Sequence, residues 1–267
     1  MTTGPTQEEL GRRFAALHEE GCFLIPNPWD GGSARVLESL GFEALATTSS
    51  AFAYTLGRAD GAVTLDELAE HVKVLAWASD LPISVDLENG YGATPEHAAR
   101  AIEVAATVGA VGGSIEDWEA EAGIYEIGAA AERIAAAAEA AATLPFEFTL
   151  TARAENHVRD NPDLDDTIAR LQAYEAAGAD VLYAPGLASV EEISAVVDAV
   201  GLPVNVLARP SLSVEEIAAA GARRISVGGS LAWASVEAMA AVATRMRDEG
   251  DLSGLRGDAQ VEEWLER

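Results

Sequence analysis

Hydrophobic and polar positions along the chain fall into one recurring unit. A helical stretch rich in Ala, Leu and Glu runs into a Gly, and a short β-branched run follows. Gly41 precedes Ala44-Leu45-Ala46-Thr47-Thr48, Gly109 precedes Val111 and Ser114-Ile115-Glu116, Gly178 precedes Val181-Leu182-Tyr183, and Gly221 precedes Ile225-Ser226-Val227. A Gly just past a helix supplies the left-handed cap that turns the chain into the next strand. The pattern predicts strands near 22–27, 44–49, 82–88, 112–117, 146–154, 180–185, 203–208 and 224–228. Helices are expected near 32–40, 64–79, 95–108, 126–142, 163–177, 189–199, 213–220 and 231–248. Strands alternating with helices indicate βαβ units and a parallel sheet, and eight units in about 250 residues match an α/β (β/α)8 TIM barrel. The other parallel architecture, a doubly wound open sheet, lacks its Gly-x-Gly-x-x-Gly after the first strand. The segment 6–20 reads as an extra N-terminal helix and 252–266 as a helical tail. No Pro-, Ser- or Gly-rich linker divides the chain, so 1–267 is expected to form a single domain: an N-terminal helix within 1–21, the barrel over 22–230 and C-terminal helices over 231–267.

Composition narrows the class. The chain carries 17 Lys plus Arg against 44 Asp plus Glu, a net charge of −27, and 49% of its residues are hydrophobic. That excludes a disordered or collagen-like chain. An acidic surface repels phosphate backbones and anionic lipid, so neither nucleic acid nor a membrane surface is expected as a partner. No apolar run is long enough to span a bilayer, and the start lacks the basic and apolar regions of a secretory signal, so a cytoplasmic location is expected. The lone Cys22 can form neither an internal disulfide nor a thiolate metal cage. An anionic substrate would need local cations to offset the field of the whole protein.

In such a barrel the reactive residues stand at the C-terminal ends of strands and in the loops that follow. Asp86 and Glu88, two apart on a strand, should project to one face. With Glu116 and Asp60 they make an all-oxygen, hard donor set suited to Mg²⁺ or Mn²⁺, the alternative being that they cap a helix or face solvent. The four His residues are scattered, which argues against Zn. Arg153 ends an apolar strand and is the residue type that grips a carboxylate or phosphate bidentately, or else pairs with the acids around it. Ser49 and Ser50 are candidates for a second anionic group, and Gly228-Gly229-Ser230 is placed to cradle a phosphate. Asn205 stands on the seventh predicted strand, which ends near Arg209.

The strings Asn27-Pro28-Trp29-Asp30-Gly31-Gly32-Ser33-Ala34-Arg35, Ala46-Thr47-Thr48-Ser49-Ser50, Leu56-Gly57-Arg58-Ala59-Asp60-Gly61, Asp86-Leu87-Glu88-Asn89-Gly90-Tyr91-Gly92, Ser114-Ile115-Glu116-Asp117 and Thr151-Ala152-Arg153-Ala154-Glu155 occur in that order. Through them the chain resembles the isocitrate lyase/phosphoenolpyruvate mutase superfamily over about Asn27–Ser230. The resemblance implies a barrel that binds one Mg²⁺, with Asp86 as the most direct ligand and Asp60, Glu88 and Glu116 holding its waters. It implies that Arg153 binds the carboxylate of a 2-oxo or 2-hydroxy acid, that Ser49 binds another part of it, and that the chemistry passes through a stabilised enolate. It also implies a homo-oligomer, a dimer or a tetramer, in which a helix near the C-terminus, here 231–248, is exchanged between subunits.

The departures from the superfamily are informative. Its carbon–carbon lyases carry Lys-Lys-Cys-Gly-His on the loop after the fourth strand, where this chain reads Trp118-Glu119-Ala120-Glu121-Ala122-Gly123-Ile124-Tyr125. Its tricarboxylate lyases place an acid after the sixth strand, where this chain has Ala184-Pro185-Gly186-Leu187. The mutases' loop Lys and Asn are absent as well. The expected activity is therefore a Mg²⁺-dependent lyase on a small 2-oxo or 2-hydroxy dicarboxylate, resembling oxaloacetate decarboxylase or an aldolase. Arg153 and Glu116 are its candidate catalytic groups, with Tyr91 or Tyr125 as the replacement proton donor, and Ser49, Ser50, Arg153 and Asn205 are the candidate substrate contacts. The rivals are a phosphonopyruvate or carboxyphosphonoenolpyruvate mutase and a non-catalytic ligand-binding pseudoenzyme.

Overall fold

Eight parallel strands, β1 (Phe23–Ile25), β2 (Leu45–Ala46), β3 (Ile83–Asp86), β4 (Gly112–Glu116), β7 (Thr149–Arg153), β8 (Val181–Tyr183), β9 (Val204–Leu207) and β10 (Arg224–Ser226), hydrogen-bond in the order β1-β10-β9-β8-β7-β4-β3-β2. The two ends of this sheet meet: the Ala46 amide donates to the Pro26 carbonyl at 3.1 Å, and the ring closes into the expected barrel. The two-residue strands β5 (Trp118–Glu119) and β6 (Gly123–Ile124) form a small antiparallel hairpin on the loop after β4. These are features of a computed structural model, which describes residues 4–256 and 259–265.

The helices lie where the Ala-, Leu- and Glu-rich stretches predicted them: α1 (Gln7–Ala16), α2 (Gly31–Ser39), α4 (Leu65–Ala78), α5 (Pro95–Thr107), α6 (Ile127–Ala142), α7 (Leu164–Ala176), α8 (Val190–Ala199), α9 (Val214–Ala219) and α10 (Ser230–Glu249). Thr6, Asp30, Thr64, Ser189 and Ser213 each close a reciprocal capping box, which satisfies first-turn amides that would otherwise lack partners. The predicted strand 44–49 is shorter than expected. It stops at Ala46, and Ser49–Thr55 folds as an additional helix, α3. The tail expected over 252–266 is helical over Ala259–Leu265 (α11), with 257, 258 and 266 outside the described residues.

Strand alternation divides the sheet into two chemically different faces. Ile83, Val85, Ile115, Leu150, Leu182, Val204, Val206 and Ile225 face the helices and build the main core. The other face is mostly polar, with Ser84, Asp86, Ser114, Glu116, Thr149, Thr151, Arg153, Asn205, Arg224 and Ser226, and carries Phe23, Ile25, Val181, Tyr183 and Leu207 as well. A barrel centre is ordinarily packed with bulky branched side chains. Here a small apolar cluster of Phe14, Phe23, Ile25, Ala44 and Val111 packs apart from the main core. The N-terminal helix supplies its plug: the Phe14 ring lies where a Cβ on Gly112 would come within 2.7 Å of it, and His18 meets Phe14 and Phe23 edge-on at 4.9 and 5.0 Å.

The long helix α10 is exposed along its length, with Ala232 its one buried residue. Beyond it, α11 returns to α2, where the Ser39 hydroxyl donates to the Trp264 carbonyl at 3.0 Å. No helix among the described residues is long and apolar enough to cross a membrane.

Burial, reinforced by the nearby charge of Arg224, lowers the His18 imidazole from its ordinary value to about 3. The folded protein therefore holds His18 neutral, whereas the unfolded chain protonates it below about pH 6.5. Above that pH the residue has no linkage effect. Between pH 6.5 and about 3 it withdraws up to about 1.4 kcal/mol of stability per pH unit, because the unfolded state binds the extra proton. Urea denaturation at pH 6.5 and pH 5 should therefore show the stability of wild type falling by about 2 kcal/mol more than that of His18→Gln over this interval.

Candidate active site

The polar ends of the strands converge on a cavity of about 210 Å³ at the C-terminal rim, lined among others by Ser49, Asp60, Asp86, Arg153, Asn205 and Arg224. Arg153, the last residue of β7, stands at its centre. Its Nε donates to Glu155, while Nη1 lies 3.4 Å from Glu116 Oε2 and 3.6 Å from Asp86 Oδ2. The guanidinium carbon sits 5.3 Å from the centroid of the Tyr183 ring, a cation–π arrangement. Burial opposes the charge on Arg153, but the carboxylates of Glu116, Glu155 and Asp86 outweigh it and raise its pKa well above the ordinary value. The ion pairs weighed as the alternative reading of Arg153 are thus present. The Nη1 contacts are ion pairs longer than ordinary hydrogen bonds, which leaves donor capacity on the cavity side.

The acids around it carry more negative charge than one arginine balances. Burial, then the charges of Asp86 and Asp60, push the Glu88 carboxyl up to about 7. Burial likewise raises Glu116 well above the usual carboxylate range, against the pull of Arg153. Asp86 and Glu88 do come together, though not by strand alternation. β3 ends at Asp86 and the chain enters a turn in which Glu88 (φ 47°), Gly90 (φ 79°) and Tyr91 (φ 59°) are left-handed. Two non-Gly residues in that region store strain of the kind that accumulates at functional sites. Gly90 is required there, because a Cβ would lie 2.8 Å from the Ala98 backbone. The turn brings the Glu88 amide within 3.2 Å of Asp86 Oδ1. Asp60, on the exposed loop after α3, faces the same cavity. Among the described residues, no three His, Cys, Asp or Glu side chains converge as direct ligands of one ion.

Other expectations are modified. Tyr91 lines a separate cavity of about 320 Å³ with Thr64, Asp66, His97 and Arg100, and reaches the acids only through its hydroxyl, 3.4 Å from Glu88 Oε1. The Tyr125 hydroxyl is already committed, donating to Glu119 at 2.6 Å and accepting from Asn89 at 3.2 Å. Ser49 and Ser50 open α3 rather than ending a strand, and Ser50 Oγ lies 3.2 Å from Thr48 Oγ1. Asn205 lines the cavity with its amide engaged on both sides, Oδ1 accepting from Arg224 and Nδ2 donating to Ser226. The phosphate cradle expected at Gly228–Ser230 is largely taken. Asn27 Oδ1 accepts from the Val227 and Gly228 amides at 3.0 and 2.9 Å, while its Nδ2 donates to the Thr47 carbonyl at 2.9 Å.

The residues missed from sequence are those that hold Arg153. Glu155 is fully buried and joins Arg153 to Arg159, whose Nη2 is 3.1 Å from Glu155 and whose guanidinium stacks 3.4 Å from the Trp118 ring centroid of the hairpin. The Glu155 amide in turn donates to Asp117 at 2.8 Å, and Asp117 is anchored by Arg170 and Tyr174. An acid two residues past the strand-end arginine was the available signal for this support.

The phosphoenolpyruvate phosphomutase family model matches residues 14–247. The chain belongs to that family. Among relatives of this phosphomutase-family chain, an oxaloacetate decarboxylase of Bradyrhizobium diazoefficiens is 32% identical over 92% of the chain and 88% of its own length. The crystal structure of a Burkholderia cenocepacia J2315 protein described as a lyase/mutase superposes with a TM-score of 0.94 and 49% identity, covering 98% of this chain and 97% of that one. A phosphonopyruvate hydrolase in complex with oxalate and Mg²⁺ shares the fold at 21% identity, with a TM-score of 0.85 over 97% and 95% of the two chains. The phosphomutase-family chain is thus a lyase or mutase of the isocitrate lyase/phosphoenolpyruvate mutase superfamily.

Proposed function

We propose that this enzyme is a Mg²⁺-dependent lyase that cleaves a carbon–carbon bond in a small 2-oxo dicarboxylate, with oxaloacetate decarboxylation as the reaction it fits best. The observation that carries this reading is Arg153, held by its Nε and lining, with Asp60 and Asp86, a cavity of about 210 Å³. The relative named oxaloacetate decarboxylase supports the substrate class. The occupation of the Val227 and Gly228 amides by Asn27, with no Lys or Asn on the hairpin loop, favours carbon–carbon over phosphoryl chemistry.

The donor set fits a hard dication. Asp60, Asp86, Glu88 and Glu116 are all carboxylates; burial first, and neighbouring carboxylates after it, raises Glu88 and Glu116, and a bound cation would favour the ionised form of both. Mg²⁺ keeps several waters and takes one or two direct carboxylates, which agrees with a set in which no three converge as direct ligands. In this reading Asp86 is the direct ligand and the other three hold water. When bound, the ion supplies Lewis acidity that stabilises negative charge on the substrate's oxo oxygen.

The chain's own residues do the rest. Arg153 binds the carboxylate beside the oxo group, with Glu155 fixing its orientation. Ser49 and Ser50 offer hydroxyls to the remainder of the molecule. As the bond to the distal carboxylate breaks, carbon dioxide leaves and the electron pair enters the enolate. The guanidinium then faces a larger negative charge than it did in the ground state. A proton returning to carbon from Tyr91 would pass by way of Glu88. The unpartnered helix α10, which exposes Leu231, Trp233, Met239 and Met246, supports a homo-oligomer in which a second copy covers it.

Purified enzyme with Mg²⁺ should release pyruvate from oxaloacetate above the background rate set by free metal. Phosphonopyruvate should show no C–P rearrangement by phosphorus NMR, and the reverse outcome would replace the lyase with the mutase. Arg153→Lys should lower kcat/KM roughly tenfold or more, since a bidentate charge-assisted grip contributes about 1.5–3 kcal/mol. Asp86→Ala should abolish Mg²⁺ binding in calorimetry while its circular dichroism spectrum is unchanged. Light scattering on a sizing column should give a mass of at least two chains, and Trp233→Glu on α10 should shift it toward one.

A further inference from the structure

Arg224 opens β10 and turns into the barrel, where it is 5% exposed and lines the same cavity as Asp86 and Arg153. Its Nε donates to Asn205 Oδ1 at 2.9 Å and its Nη2 to Thr151 Oγ1 at 2.9 Å, while Nη1 lies 3.3 Å from His18 Nε2. His18 Nδ1 sits 2.9 Å from the Phe14 carbonyl oxygen. The ring proton therefore belongs on Nδ1, and Nε2 accepts from the arginine. All three partners are neutral, and no ion pair among the described residues involves Arg224. Burial pulls its pKa down to about 10, which leaves it cationic at neutral pH.

A buried charge with no counter-ion is costly, and an apolar side chain would fill this position at less expense. The chain has 44 acids, and among the described residues none is paired with Arg224. Thr151, which holds the guanidinium, stands two residues before Arg153 on β7 and on the same face. Arg224 is therefore held at a position roughly 6–7 Å along the strand below the one that carries Arg153.

We infer that Arg224 is a charge-selecting residue, an uncompensated cation at the floor of the cavity that favours doubly charged anions over singly charged and neutral ones. The inference rests on the reading of the cavity as a 2-oxo acid site. It also gives Asn205 a role: with both amide groups committed, it positions Arg224 and does not itself need to touch the substrate.

The test is isothermal calorimetry with Mg²⁺ present and three ligands of nearly equal shape: oxalate (two charges), oxamate (one) and oxamide (none). Arg224→Met should weaken oxalate roughly tenfold or more and oxamate about threefold, and leave oxamide unchanged. Arg224→Lys should keep most of the charge ranking. If Arg224→Met fails to fold, Asn205→Asp serves instead. It sets a carboxylate against the guanidinium, cancelling the charge without removing it, and should lose oxalate affinity while the fold is retained. An equal loss for all three ligands, or an unchanged affinity for oxalate in folded Arg224→Met or Asn205→Asp, overturns the inference. Wild-type protein that binds none of the three overturns the underlying substrate reading instead, so the two failures are distinct.

Discussion

A single guanidinium set among an excess of carboxylates organises the mouth of this barrel. Arg153 is drawn toward Asp86 from β3, Glu116 from β4 and Glu155 from its own loop. Because these groups are removed from water, their mutual interactions are far stronger than on the surface, and removal of any one leaves its partners uncompensated. The ends of β3, β4 and β7 are thereby drawn to a common point. The support beneath it is equally polar: Glu155 depends on Asp117, and Asp117 on Arg170 and Tyr174, so the position of Arg153 is set from α7 as well as from β7.

The second constraint is the hollow, hydroxyl-lined centre. With Ser84, Ser114, Thr151 and Ser226 where branched aliphatic side chains would ordinarily interdigitate, the strands draw little cohesion from the inside. Cohesion comes from the layer between sheet and helices, and from α1 and the turn after it, whose Phe14 and His18 close the end opposite the site. The N-terminal helix is thus part of the barrel's structure and, through His18 and Arg224, is hydrogen-bonded to the cavity itself.

Most of the architecture could be read before any coordinates, because each helix-to-strand passage is marked locally. A Gly cap and a β-branched run carry their meaning within a few residues, and every predicted barrel strand and helix is present. Helix α3 was not read, because Thr47-Thr48-Ser49-Ser50 continues the β-branched and hydroxyl character of β2 and nothing local signals the change. Asp86, Glu116 and Arg153 were readable from their places at strand ends, and the structure sets Arg153 3.6 and 3.4 Å from the two acids. Glu155 had a local signal, its place two residues past Arg153, whereas Arg159 stacked on Trp118 and Asn205 holding Arg224 are defined by partners in other elements. The turn at Glu88 shows the limit of pattern alone: Asp86 and Glu88 do approach each other, but left-handed backbone brings this about where alternation along a strand was expected.

The join between β1 and β2 rests on the Ala46 amide and on the side chain of Asn27, whereas neighbouring strands elsewhere share longer ladders. A ring with one weak joint does not breathe evenly. Its thinnest seam falls beside Thr48 and Ser49 on the wall of the cavity. That flank of the cavity is therefore held by fewer main-chain hydrogen bonds than the wall bearing Arg153, where β4 and β7 pair over five residues.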